Sequence, residues 1–428
     1  MSKRLNVVKG HLNQPQSQDY FKKSNLKSKY LADPLDFMHL DELIPTEVNS
    51  KRKALRQALE KELAPLVPEL YEKAQFPKDV LVPKFKALNI LGLSEEKYGC
   101  RKVTQTEKSM YIFELSRIDV SLCTFYAVNM SLVIFTIEKL GSEEQKALYL
   151  PKLVSMDWIG GWGLTEPEVG SDASSLLTTA TPVEGGFLLN GAKRWIGNAT
   201  IADVIIIFAR NSSTNKVEGF IMDAKAPGVS IENIERKLAL RIVQNGVIQM
   251  KDVFVPLKNR LEKAKDFASG ANVVLEMSRM NVGWIPTGVL AGVYEHAVKY
   301  LRERVQFNAP LGAFQLNQEK LTRILGHFQA CFLLAWRVTK LLETGQANIA
   351  QGSLVKSWTS LIGREAVRLG RELIGGNGII LDYYMIKALA DMEVVYTYEG
   401  TYDINSLVVG RAITGIPAFK TGFKLPKS

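Results

Sequence analysis

The chain has 428 residues, 46% of them hydrophobic and 23% charged, which suits a folded protein of two or three structural units around one continuous interior. Its three cysteines (Cys100, Cys123, Cys331) lie far apart and its four histidines are scattered, so neither a disulfide framework nor a metal site is expected, and the compartment is expected to be reducing. The net charge of +10 suits anionic partners, yet no basic run is interleaved with aromatics and no apolar run reaches the ~20 residues of a membrane span, so neither nucleic-acid binding nor a span is expected.

Residues 1–44 read as a basic leader, with Lys3, Arg4, Lys9, Lys22, Lys23, Lys27 and Lys29 set against Asp19. Within it, "RLNVVKGHL" places Arg4 and Leu5 before, and His11 and Leu12 after, a variable stretch. This resembles the nonapeptide peroxisomal targeting signal. A mitochondrial presequence, and so the mitochondrial matrix, is the alternative, although Lys outnumbers Arg here.

Residues 45–160 read as an N-terminal helical domain, because "KRKALRQALEKELAPLV" and "SLVIFTIEKL" carry apolar residues three and four apart. Ser142 and Gln145 form a capping-box pattern that opens the helix "EEQKALYLPKLV". Over residues 161–265 the period changes. The pairs Gly185-Gly186, Asn190-Gly191 and Asn245-Gly246 read as turns between the β-rich runs "FLLNG", "VIIIFAR", "GFIMD" and "VIQMKDVFV", which predicts a middle antiparallel β domain. Residues 266–428 return to long helical stretches, "WIPTGVLAGVYEHAVKYLRERV", "NQEKLTRILGHFQACFLLAWRVTKLLETG" and "SLVKSWTSLIGREAVRLGRELIGG", which predict a C-terminal helical bundle. The fold class is therefore α+β.

The segments "GWGLTEPEVGSD", "RWIGN", "RERVQFNAPL", "ELIGGNG" and "YEGTYDIN" resemble, in order and register, the flavin-binding and catalytic motifs of the acyl-CoA dehydrogenase and oxidase superfamily. Within it, "SDASSLLTTATPVEGG", "FARNSSTNKVEGFI", "LRIVQNG" and "AFQLNQEKL" look most like the plant peroxisomal short-chain acyl-CoA oxidases, and "GRAITGI" is shared with glutaryl-CoA dehydrogenase. The resemblance implies the superfamily's architecture, in which the C-terminal bundle has four helices. It also implies FAD as cofactor, an acyl-CoA substrate, and a homo-oligomer, tetramer or dimer, whose FAD site is shared between subunits.

The resemblance assigns Glu399 as the base that takes the α-proton while the β-carbon gives hydride to flavin N5. Its own amide would help hold the enolate oxygen. From the residues alone, the favoured reading of Glu399 is a first-turn acid complementing the dipole of the helix that follows, and only the surrounding motif overturns it. By resemblance, Trp162, Leu164, Thr165, Trp195, Ile196 and Gly197 meet the isoalloxazine, and Ser171 touches both flavin and CoA. Arg304, Phe307 and Gln318 would meet the adenine and pyrophosphate, with Glu372, Gly375 and Gly376 closing over them and Thr401 and Asp403 touching flavin. Arg279 would line the acyl-CoA channel beside Gly400. Asn308 departs from the pattern, which has glycine there.

Two positions bear on specificity. Cys123 stands where glutaryl-CoA dehydrogenase has the arginine that holds the distal carboxylate, so an uncharged short acyl chain is expected. Gly197 stands where dehydrogenases carry Thr or Ser. The lost side chain is expected to open space at the flavin edge for molecular oxygen, giving hydrogen peroxide. Electron-transfer flavoprotein as acceptor, and a non-catalytic acyl-CoA-binding homologue, are the alternatives.

Overall fold

The computed structural model describes residues 35–418. Arg4, Leu5, His11 and Leu12, most of the basic leader and the C-terminal "KLPKS" lie outside the described residues. Residues 35–44, the end of the expected leader, are packed: Leu35, Leu40 and Ile44 are buried, and Gln329 donates to the Leu35 carbonyl at 2.9 Å.

Helices α1 (Thr46–Glu62), α2 (Val67–Lys73), α3 (Lys78–Leu88), α4 (Gln105–Ile118), α5 (Val120–Leu140) and α6 (Glu143–Val154) precede the sheet. Nearly every residue of α4 is buried, charged ones included. Its Glu114 carboxylate is neutralised by Arg52 at 3.1 Å, Arg56 at 3.0 Å and Arg117 at 2.9 Å, which makes burying the charge tolerable.

Helix α5 is long and apolar enough to cross a membrane by composition, with mean hydropathy 1.8, but 89% of it is buried inside the protein. The period of "SLVIFTIEKL" predicts an α-helix throughout, whereas Val128–Ile134 is π-helical. The wider turn aims Asn129 at the sheet, where its Oδ1 accepts from Gly160 N at 2.9 Å.

The middle sheet has seven strands: β1 (Gly160–Gly163), β2 (Thr179–Val183), β3 (Gly186–Gly197), β4 (Val204–Asn211), β5 (Val217–Asp223), β6 (Val229–Asn233) and β7 (Asn245–Pro256). Pairing is antiparallel except along one edge of β4, where β1 and β2 run parallel to it. Residues alternate along β4: Val204, Ile206 and Phe208 join the helical core, while Ile205, Ile207 and Ala209 join a second core behind the sheet.

Two of the three expected turns are not turns. Asn190-Gly191 is an irregularity inside β3, where Gly191 has φ 140° and an added Cβ would come within 2.7 Å of Thr178 Oγ1. Asn245-Gly246 opens β7, directly opposite Gly197 and Ile196. Only Gly185-Gly186 joins two strands, β2 and β3.

Six helices follow: α7 (Ala271–Val282), α8 (Trp284–Glu303), α9 (Gln315–Glu343), α10 (Ile349–Ile374), α11 (Tyr384–Thr397) and α12 (Tyr402–Thr414). A short hairpin, β8 (Val305–Gln306) and β9 (Ala309–Pro310), separates α8 from α9. The middle four helices, α8 to α11, form the bundle, with α7 and α12 against α10.

The three regions meet at a buried charge cluster. Lys387 on α11 lies 2.9 Å from Asp119, at the α4–α5 junction, and 3.7 Å from Asp391. Asp391 also accepts from Tyr71 Oη at 3.0 Å and from Leu240 N at 2.7 Å, so helices and middle region share one anchor. Removing the cation leaves two carboxylates uncompensated in the core. Lys387→Met is expected to lower stability by about 3–5 kcal/mol, read from denaturant unfolding.

Candidate active site

Helix α11 ends at Thr397 and α12 begins at Tyr402, so Tyr398 to Thr401 must reverse the chain. Glu399 and Gly400 do this with consecutive left-handed conformations, φ 55° and 81°. For glutamate that geometry costs about 1–2 kcal/mol. An added Cβ at Gly400 would lie 2.9 Å from Asn405 Nδ2, so only glycine fits there.

Thr401 caps α12, its hydroxyl accepting from Ile404 N at 3.1 Å, and the acid in the first turn is Asp403, which is exposed. Glu399 is therefore not a dipole-complementing acid of α12. It faces inward, toward Ser278 and Arg279 on α7 and Lys356 on α10. There Oε2 accepts from the buried Ser278 hydroxyl at 2.6 Å. Burial pushes the Glu399 carboxyl above its ordinary range, opposed by the Ser278 bond and by the charges of Arg279 and Lys356. Arg279 is itself buried, and its guanidinium lies 3.5 Å from where a Cβ on Gly400 would be. A half-buried carboxyl whose pKa is raised is a stronger base than an ordinary one and can accept a proton from a weak carbon acid.

A second group of expected residues lies on β1, on β3 and in the loop from β1 to β2. Trp162 differs from expectation at its side chain: the indole is buried, packs edge-on against Phe208 at 5.2 Å and donates to Thr136 at 3.1 Å. A ligand meets that residue only through its backbone. Leu164 is buried and Thr165 half-buried, and the Thr165 carbonyl accepts from Arg194 N at 2.8 Å, which ties this loop to β3. Ser171 is exposed further along the loop.

The sequence reading missed what holds this loop. Lys193, fully buried, donates to the Leu164 carbonyl at 3.1 Å and to Glu166 at 2.8 Å. Glu166 in turn accepts from Leu177 N at 2.5 Å and Thr178 N at 2.9 Å. Burial lowers the Lys193 ammonium to about 8, against the pull of Glu166. The available signal was the opposite charges of Glu166 in "TEP" and Lys193 in "AKRW".

Beyond Lys193 the β3–β7 register shifts and Trp195 takes φ 65°, which turns its ring out of the sheet, 52% exposed. Ile196 and Gly197 return to the buried strand. The room expected beside Gly197 is not there: an added Cβ would lie 2.9 Å from Val128 Cγ2, because the π-helical turn of α5 brings that side chain against the strand.

A third group gathers at one end of the bundle. Arg304 ends α8, and its carbonyl accepts from Leu311 N at 2.8 Å, closing the hairpin. Phe307 and Asn308 at its tip have φ 49° and 59°, a two-residue left-handed turn that asparagine enters readily in place of glycine. Phe307 is 90% exposed. Gln318 donates to the Gly312 carbonyl at 2.9 Å. Glu372 is neutralised by Lys320 at 3.0 Å and Arg368 at 2.5 Å. Gly375 and Gly376 have open space where side chains would stand. Among the described residues, no hydrogen bond, ion pair or ring contact joins this group to Thr165 and Trp195.

The two groups fit the halves of a flavin dinucleotide. One offers an outward indole beside a polar loop, and the other an arginine, an uncovered phenyl ring and an open glycine pair.

Three family models match in succession: the acyl-CoA dehydrogenase N-terminal domain over residues 46–157, its middle domain over 161–253 and its C-terminal domain over 269–414. The chain belongs to the acyl-CoA dehydrogenase family. It is 32% identical over 368 residues to an acyl-CoA dehydrogenase of Bacillus subtilis (strain 168), covering 85% of this chain and 97% of that protein. It is 28% identical over 374 residues to the mitochondrial 2-methylacyl-CoA dehydrogenase of Solanum tuberosum, covering 85% and 89%. Among solved structures it matches a glutaryl-CoA dehydrogenase from Mycobacterium smegmatis in complex with FADH2, with 31% identity, TM-score 0.87, and coverage of 90% of this chain and 99% of that one. Butyryl-CoA dehydrogenase from Megasphaera elsdenii matches with 28% identity and TM-score 0.82, over 86% and 98%. FAD is this family's cofactor.

The Ser278 bond favours the ionised form of Glu399, and only that form is a base. Ser278→Ala is expected to raise the Glu399 pKa further. As the pH is lowered, flavin bleaching by butyryl-CoA should then fall away at a higher pH than in the wild type, in a stopped-flow pH series.

Proposed function

We propose that this acyl-CoA dehydrogenase family member oxidises a short, uncharged acyl-CoA to the trans-2-enoyl-CoA, with Glu399 as base. The observation that carries this reading is the left-handed Glu399–Gly400 turn, which places a carboxyl of raised pKa beside Ser278 and Arg279. Bound FAD supplies the hydride acceptor. Glu399 takes the proton from the α-carbon while its own backbone N–H meets the thioester oxygen, and Arg279 faces the acyl-CoA. Trp195 and Thr165 would hold the flavin ring.

The uncharged chain is supported by Cys123, fully buried in α5 with its thiol directed at the Ile112 carbonyl at 3.5 Å. Burial pushes that thiol up, so it stays neutral and cannot pair with a distal carboxylate. We take a homo-oligomer, tetramer or dimer, as the working form. Leu354, Trp358, Leu407 and Ile413 leave large apolar surfaces on α10 and α12, and a second copy would cover them and bring the Arg304 group to the Thr165–Trp195 group.

For the acceptor, we propose molecular oxygen, in the net reaction acyl-CoA plus O2 giving enoyl-CoA plus H2O2. Support comes from the hydroxyl that Gly197 lacks, not from room beside it, since Val128 fills that room. The second reading, electron-transfer flavoprotein as acceptor, is favoured by the relatives named above, all of them dehydrogenases. The peroxisome is the proposed compartment on the strength of Arg4, Leu5, His11 and Leu12, with the mitochondrial matrix as the other outcome of a fluorescent-fusion experiment.

Anaerobic mixing with butyryl-CoA should bleach the flavin, and glutaryl-CoA should bleach it far more slowly. Admitting air should restore the flavin rapidly with stoichiometric peroxide. Slow return that needs electron-transfer flavoprotein would move the protein to the second reading, and no bleaching with any acyl-CoA would make it a binding protein.

A further inference from the structure

A lysine in the core has no place in the chemistry described so far. Lys356, in the middle of α10, is fully buried, and its ammonium donates to the Gly400 carbonyl at 2.6 Å and the Tyr396 carbonyl at 3.1 Å. We propose that Lys356 is a positioning residue for the reaction: its ammonium clamps the carbonyls on either side of Glu399 and so fixes the left-handed turn that aims the carboxylate and its N–H at the substrate. The proposal rests on the reading of Glu399 as base.

A left-handed glutamate costs energy and persists where its surroundings over-determine it. The Gly400 carbonyl supplies that constraint, because it receives Lys356 Nζ from one side and Asn405 Nδ2, at 2.8 Å, from the other. Tyr396 lies in the last turn of α11, where the helix dipole favours a cation. One ammonium thus spans from the end of α11 to the residue after Glu399, and it does so from a helix whose buried face holds it rigidly.

Burial of this kind is not neutral. Lys356 is pushed down to about 7 by desolvation, with Glu399 holding it up and Arg279 working against it. A lysine that served only to fill space would be replaced at no loss by an apolar chain of similar length. A lysine that positions Glu399 would not.

The test uses the flavin-loaded enzyme and butyryl-CoA under anaerobic stopped-flow conditions, with Lys356→Met, Lys356→Gln and Glu399→Gln beside the wild type. Lys356→Met keeps the length and removes the donors. The bleaching rate at saturating butyryl-CoA should fall about 100-fold, while the concentration for half-maximal rate changes little. Lys356→Gln, which keeps an N–H donor without the charge, should recover part of the rate. A Lys356→Met enzyme that bleaches at the wild-type rate overturns the clamp, as does one whose half-saturating concentration rises with the rate intact. If Lys356→Met yields no flavin-loaded protein, Lys356→Gln decides: a reduced saturating rate supports the clamp, and a wild-type rate overturns it. Failure of both variants to hold flavin assigns Lys356 to the core and overturns it too. Glu399→Gln separates the two claims, because wild-type bleaching there ends the role of Glu399 as base, whereas an inactive Glu399→Gln with a wild-type Lys356→Met ends only the clamp.

Discussion

The left-handed turn at Glu399 and Gly400 is the constraint on which the site depends. A glutamate in regular helical geometry at this position would point along α12 toward solvent, as Asp403 does. With φ 55° it turns inward, where Ser278 and Arg279 of α7 and Lys356 of α10 surround it. The strain is local and small, and the bonds that hold it come both from nearby Asn405 and from Lys356 and Ser278, distant in sequence.

The remainder of the fold fixes the strand and loop that carry Trp195 and Thr165. The π-helical stretch of α5 has two effects: Asn129 ties the helical region to β1, and Val128 closes the space beside Gly197. The irregularities in β3 turn Trp195 outward from an otherwise regular strand, while the buried Lys193–Glu166 pair holds the loop that carries Thr165. The cluster of Lys387, Asp119 and Asp391 keeps the helical and middle regions in one arrangement, so that turn and sheet do not drift apart.

The long bundle helices were legible because α9 and α10 repeat their apolar residues at helical spacing over many turns. The strands were legible from β-branched runs, but Asn190-Gly191 and Asn245-Gly246 were misread, since a bulge and a strand start use the same residues as a tight turn. The π-helical segment was not legible, because its composition is that of any apolar helix. Glu399 could be singled out only through the order of motifs. Ser278, its partner across 121 residues, had no local signal, since the contact exists only after the fold closes. Lys356 had a faint one: a lysine on the same helical stripe as Thr359, Gly363, Val367 and Gly370, all of them buried.

The central claim is that Glu399 removes the α-proton. Its most direct measurement separates proton removal from oxidation, using an acyl-CoA analogue with sulfur in place of the β-carbon, which has acidic α-hydrogens but no β-hydrogen to give up. Incubated in D2O with the flavin-loaded enzyme, the analogue should take up deuterium at the α-carbon, and Glu399→Gln should slow that uptake by at least about 100-fold at an unchanged affinity. Uptake at the wild-type rate in Glu399→Gln would contradict the account.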